Sequence, residues 1–267
     1  MLFVGITISV NAQHQYNRFN IGSSPLIANP ALTGTAEHGM FHANLQRILS
    51  IFTISDLSYQ TYLPKIKSGI GATLYHFQAY ENRNTAFGLS YSYQAKVSSR
   101  FNLSAGVSSQ FHHSNAFNWN PTIDRNYIGF NAGLLLYSDK LFVSASVNDI
   151  YLFTSNPSLT GLVGRKFSWH KIEITPSFGY SIWEKYHNLT LRLNIAYKQI
   201  LLMAGSEAKQ YIFGVGYFNS YVGLNYMFDF STSPLSNDIL PNHRFSIQVK
   251  LPKSIERKTK TFDFSLF

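Results

Sequence analysis

From Ala86 to His112 the chain runs AFGLSYSYQAKVSSRFNLSAGVSSQFH, and the reading of this stretch decides the fold. Two alternating segments flank a short polar turn. In the first, Phe87, Leu89, Tyr91 and Tyr93 interleave with Gly88, Ser90, Ser92 and Gln94. In the second, Phe101, Leu103, Ala105, Val107 and Phe111 interleave with Asn102, Ser104, Gly106, Ser108, Gln110 and His112. Successive side chains of a strand point to opposite faces, so each segment carries one apolar face and one small, polar face. Strands of about ten residues with aromatics near the ends of the apolar face suit a sheet with lipid outside and water inside. A soluble sandwich uses shorter strands.

The composition agrees. Charged residues are 13% of 267, while aromatics reach 16%, with 22 Phe and 17 Tyr; a soluble domain carries about twice that charge. A mean hydropathy of −0.07 is what a lipid face and a polar lumen give when they average along each strand. The chain has no cysteine, which excludes disulfides, thiolate metal sites and a lipidated N-terminal Cys. The formal charge of +9 is not a nucleic-acid signature. Its cations are scattered along the sequence apart from the tail Lys250, Lys253, Arg257, Lys258 and Lys260, and no nucleic-acid-binding motif accompanies them. Contact with anionic lipid or polysaccharide headgroups accounts for them better.

Residues 1–12 read as the remnant of a secretory signal: an apolar run ends at Val10-Asn11-Ala12, a small-residue cleavage pattern. Residues 13–37 are not strand-like, being broken by Pro25, Asn29-Pro30 and Gly34. Residues 38–251 read as one barrel domain and residues 252–267 as a basic tail. Fourteen strands are expected: 40–49, 52–62, 69–79, 84–95, 101–112, 128–138, 141–147, 159–166, 171–181, 188–197, 200–205, 210–218, 221–230 and 244–251. Tight connections such as Ser138-Asp139-Lys140 alternate with longer ones at 115–127, 148–158 and 231–243, as in an up-and-down membrane barrel. The fold expected is therefore all-β, a transmembrane antiparallel up-and-down β-barrel of about 14 strands, with the N-terminal segment tucked into the lumen. Irregular Asn-Pro-Ala backbone cannot face lipid.

No constellation for chemistry stands out. His76, His112 and His113 lack a carboxylate at ligand spacing, and adjacent strand residues cannot share a face. His113-Ser114-Asn115 has the residue types of a lipid hydrolase without a nucleophile elbow. Gly69-Ile70-Gly71 lacks the remainder of a phosphate loop; its glycines suit crowding at a barrel wall. The expectation is no catalytic residue, no cofactor and no metal. Among the charges inside strands (Arg47, Asp56, Glu173, Arg192), the phase puts Glu173 and Arg192 with Thr175, Ser177, Thr190 and Asn194. They are expected to form a polar, ion-paired network in the lumen, because a charge facing lipid at mid-height costs roughly 2–4 kcal/mol.

Several segments carry a resemblance. Phe19-Asn20 followed by Ile27-Ala28-Asn29-Pro30-Ala31-Leu32-Thr33-Gly34, placed just before the first strand, resembles the opening of the PorP/SprF family. These are outer-membrane proteins associated with the type IX secretion system of Bacteroidetes. The segment 159–166 with Ile174-Thr175-Pro176-Ser177, and the closing His243-Arg244-Phe245-Ser246-Ile247, resemble the family's late segments. Arg165 stands where an aromatic is common, Arg244 where Glu is more frequent, and the tail runs past the usual end. The resemblance implies a non-enzymatic outer-membrane protein that binds the C-terminal sorting domain of a secreted cargo protein or adhesin. It would support secretion or surface anchoring, as in gliding motility, together with other type IX components and outer-membrane lipids. Asn29, Pro30, Ala31 and Gly34 become candidate plug residues. The competing reading is an outer-membrane channel or transporter for small or hydrophobic solutes.

Overall fold

A computed structural model describes residues 25–36, 39–48, 52–79, 82–116, 123–151, 157–184, 186–207, 210–232 and 239–251. The expected signal remnant 1–12, residues 13–24 and the tail 252–267 lie outside the described residues. A helical turn, Pro25–Ala28, and a 3-10 turn, Pro30–Leu32, precede the strands. The strands are β1 Met40–Ile48, β2 Phe52–Leu63, β3 Ser68–Ala79, β4 Asn82–Lys96, β5 Asn102–Ala116, β6 Ile123–Tyr137 and β7 Leu141–Tyr151. They continue as β8 Ser158–Arg165, β9 Phe167–Trp169, β10 Ile172–Trp183, β11 Tyr186–Tyr197, β12 Ile200–Glu207, β13 Gln210–Phe218, β14 Val222–Thr232 and β15 Ile239–Lys250.

Every neighbour is antiparallel and follows in chain order, and β15 returns to β1 in a register running from Met40↔Lys250 to Ile48↔Asn242. The sheet therefore has no edge. Strands β8 and β9 both pair with β10, at Ser158–Gly164 and Phe167–Trp169 respectively, and act as one stave. The result is a closed barrel of fourteen staves, and each matches one of the strands read from the sequence.

The differences are in extent. The stretches 115–127, 148–158 and 231–243 read as long loops, yet pairing continues to Ala116↔Ile123, to Asn148↔Ser158 and to Thr232↔Ile239. The outward side chains explain this. Leu74, Phe87, Phe111 and Ile128 lie side by side across β3–β6, and the next outward row is His76, Thr85, His113 and Asn126. This second row is hydrogen-bonded to itself, His76 to Thr85 at 2.9 Å and His113 to Asn126 at 3.0 Å. The lipid boundary falls between the two rows. Beyond it a strand no longer needs apolar residues, so alternation fades while the backbone ladder goes on.

Below this boundary the outward face of β4–β7 is apolar, Ser109 excepted, down to Ala95, Leu103, Leu136 and Val143. Eight residues along β4 at ~3.4 Å each, tilted by ~40°, give a band roughly 20 Å tall. Its side chains are exposed while polar ones are buried: Leu89 is 55% and Val107 56% accessible, against none for Ser92 and Ser104. Such a surface is stable only in hydrocarbon. Apolar residues also point inward in three places, around Leu135, Tyr137 and Phe142, around Leu201, Met203, Ile212 and Met227, and around Ile54, Phe77 and Ala79.

All strands end alternately at two rims. One, the turn end, holds the turns 64–67, 97–101, 138–140, 198–199 and 219–221, the start of β1 and the end of β15. Left-handed residues Lys67 (φ 52°), His170 (φ 56°) and Lys198 (φ 52°) make three of its reversals.

Val107 lies midway down the band and His113 in the boundary row. Val107→Arg should therefore lower folding stability in vesicles by about 2–4 kcal/mol, and His113→Arg by about 0–1 kcal/mol. Urea titrations of refolding read both.

Candidate functional site

The inward polar face of β4 and β5, the stretch that decided the fold, is where residues 25–36 bind. Asn29 opens the 3-10 turn in extended conformation (φ −152°), and its Oδ1 accepts the Ala31 N–H at 2.8 Å. Pro30 follows at the first position of the turn, where its fixed φ fits and a backbone N–H would have no partner. The side-chain amide of Asn29 also donates to the carbonyls of Leu134 on β6 and Ala145 on β7, each at 3.4 Å.

Irregular backbone enclosed away from water needs a partner for each polar group. The wall supplies several. Ser146 donates to the Ala28 carbonyl at 3.0 Å and Ser104 to the Ala31 carbonyl at 2.7 Å. Ser92 and Gln94 donate to the Thr33 carbonyl at 2.6 and 3.2 Å. Gln60 on β2 accepts the Gly34 N–H at 2.8 Å, and the Thr33 hydroxyl donates to Ser90 at 3.1 Å. Gly34 has φ +68°, a left-handed conformation that favours glycine.

Close approach explains the wall glycines here. A Cβ on Gly133 would collide with the Asn29 carboxamide, and one on Gly106 with the Pro30 carbonyl and the Ala31 nitrogen. Ala31 itself is completely buried, packed beside Leu135, Tyr137 and Phe142. All four residues of the candidate motif, Asn29, Pro30, Ala31 and Gly34, thus belong to one seat built from β2–β7, with Gly69 of β3 against Thr33 and Gly34.

Glu173 and Arg192 are both on inward-phase positions but are not brought together. In the β10–β11 register Glu173 faces Ala196, whereas Arg192 faces Ser177. Glu173 sits near the turn end and pairs with Lys166 at 3.7 Å. Arg192 lies within Coulombic reach of Glu207 and Arg244. Two basic and two acidic side chains gather here, with Arg244 bonded to Asp229 at 3.3 Å and Asn242 also donating to Asp229. On the adjoining wall Asn44 donates to Asp56 at 2.9 Å, with His42 at 3.5 Å from the same carboxylate.

Sequence phase assigns a face, but partner and height need the register. Glu207 and Arg244 as Arg192's neighbours, and Asp229 as Arg244's, are therefore not legible from phase alone. Their signal is alternation with outward aromatics, as in Phe228-Asp229-Phe230 and Arg244-Phe245. Arg47 is outward and exposed at the far end of β1, beyond the band, and Asp56 is inward.

The remaining candidates separate. His112 is inward and stacked on Tyr127 with ring centroids 4.6 Å apart, while His76 and His113 are outward. No group of three or more metal-ligating side chains occurs among the described residues. His113-Ser114-Asn115 is strand rather than loop, which turns His113 and Ser114 to opposite faces.

A closed barrel of antiparallel staves, hydrocarbon-facing outside and polar inside, defines the class as an outer-membrane β-barrel protein. The family model for the type IX secretion system membrane protein PorP/SprF matches residues 10–249. The chain belongs to that family and is an outer-membrane component of type IX secretion. A search of curated proteins finds no match.

Solved structures share the fold at low identity. A TodX mutant, described as a monoaromatic hydrocarbon channel, matches with TM-score 0.57 and 13% identity over 88% of this chain and 95% of that one. The toluene transporter TodX of Pseudomonas putida gives 0.56 and 12% over 88% and 94%. Omp33 of Acinetobacter baumannii gives 0.54 and 7% over 82% and 100%. The family and these neighbours are outer-membrane barrels and channels, not enzymes.

Gly133→Ala should destabilise the protein by about 1–3 kcal/mol through overpacking against Asn29. Gly161→Ala, where the nearest heavy atom is 3.9 Å away, should be neutral. Thermal unfolding in detergent compares them.

Proposed function

We propose that this barrel is a non-enzymatic type IX accessory protein that binds the C-terminal sorting domain of a secreted cargo protein or adhesin. In this reading it supports the cargo's secretion or its anchoring at the cell surface, including the anchoring of gliding adhesins. The observation that carries the reading is family membership across residues 10–249. The seat of residues 25–36 supports it. A lumen in which inward Ser92, Gln94, Ser104 and Ser146 are spent on an internal segment suits a rigid anchor better than an open conduit. In the same reading residues 13–37 act as a plug, with Asn29, Pro30, Ala31 and Gly34 as its fixed point. The barrel then supplies the membrane anchor, and its strand ends beyond the lipid boundary offer the binding surface.

A second reading, a channel for small or hydrophobic solutes, draws on the inward apolar cluster of Leu201, Met203, Ile212 and Met227 and on the fold shared with TodX. Two measurements on the purified barrel separate the readings. The anchor reading expects saturable binding of isolated sorting domains with Kd of about 10 µM or tighter, together with little conductance in planar bilayers. No binding, combined with ohmic conductance or solute uptake, overturns it in favour of the channel.

A further inference from the structure

We propose that the turn end of the barrel is a binding surface for the phosphate groups of anionic phospholipids in the periplasmic leaflet. The cations that look scattered along the sequence gather there in space. Eight lysines, Lys67, Lys166 and Lys198 among them, lie at this end, joined by Arg100 and Arg165, whereas the carboxylates at the same rim are Asp139 and Glu173. Glu173 is already engaged by Lys166. At the opposite rim the described cations are Arg47, Arg83 and Arg125, offset by Asp124, Asp149 and Glu184. The longest connections, 117–122, 152–157 and 233–238, all join strands at the opposite rim. An outer-membrane barrel carries its longer loops outside the cell, which assigns the basic rim to the periplasmic leaflet.

The height and direction of the charges favour lipid over a soluble acidic protein. Outward Trp169, Tyr197 and Tyr217 form an aromatic belt just inside the rim, at 67%, 45% and 45% exposure, the level of the membrane–water interface. Two of the cations fold back onto this outward face. The Lys198 ammonium lies 5.3 Å from the centre of the Tyr197 ring, and the Arg165 guanidinium 4.9 Å from that of Phe167. Those rings point into the bilayer, so the charges above them lie where lipid phosphates are. Lys67 and Lys198 hold left-handed turn positions, which fixes their backbones at the rim. A ring of cations at one interface also gives the barrel a preferred depth and orientation.

The test uses the full-length protein in nanodiscs of phosphatidylcholine with a minority of phosphatidylglycerol, and native mass spectrometry reads the retained lipids. Phosphatidylglycerol should be enriched several-fold over its bulk share, and the enrichment should fall with salt. The triple variant Arg165→Gln, Lys171→Gln, Lys198→Gln should lose up to about fivefold of preference per charge, with unchanged circular dichroism. The opposite-rim control Arg47→Gln, Arg83→Gln should retain it. Equal loss in both variants, no loss in the triple variant, or no lipid preference alongside salt-labile retention of an acidic periplasmic protein would overturn the proposal.

Discussion

Hydrocarbon offers no hydrogen-bond partners, and that constraint orders this structure. Each unpaired backbone group in the bilayer costs several kcal/mol, so the sheet must close. It does so through the nine-residue ladder between β1 and β15. Closure in turn inverts the usual distribution of side chains. Leu89 and Val107 are exposed while Ser92, Gln46 and Arg244 are buried. The same constraint confines the irregular segment 25–36. With turns rather than a ladder to satisfy its own backbone, it takes donors from Ser92, Ser104 and Ser146 and an acceptor from Gln60.

The inner wall is therefore built in two parts with different chemistry. Around the seat, strands β2–β7 present Ser, Gln and Gly, residues small enough or polar enough to receive a backbone at van der Waals distance. Apolar clusters lie to either side, at Ile54, Phe77 and Ala79 and at Leu135, Tyr137 and Phe142. Strands β11–β15 with β1 present an apolar cluster and a set of opposed charges, Arg192, Glu207, Asp229 and Arg244. The polar half explains why glycine stands at 106 and 133, and why the motif begins with Asn rather than Asp. A carboxylate could accept the Ala31 N–H, but it could not donate to Leu134 and Ala145.

The staves were legible because lipid on one side and polar lumen on the other impose a period of two on every strand. Where that contrast ends, so does the signal. His113 to Ala116 is paired strand above the lipid boundary, yet reads as loop. Phe167–Trp169 is too short to alternate and emerges only through its pairing with β10. The Asn29-Pro30 segment was recognisable from its turn chemistry, but its wall partners lie far along the chain and depend on the register of six strands. Glu173 and Arg192 show the same limit. Their phase is readable, but Lys166 and Glu207 as neighbours follow from position along the barrel axis.

The centre of the account is the seat of residues 28–34 against the inner face of β4 and β5. The Thr33 and Ser90 hydroxyl oxygens are 3.1 Å apart, and the chain contains no cysteine. Thr33→Cys with Ser90→Cys therefore places a single thiol pair across the contact with nearly isosteric side chains. In isolated outer membranes under mild oxidation, the account predicts a disulfide between the two introduced thiols, detected by mass spectrometry, and no labelling by maleimide. Two free thiols that label readily in the folded barrel would contradict it.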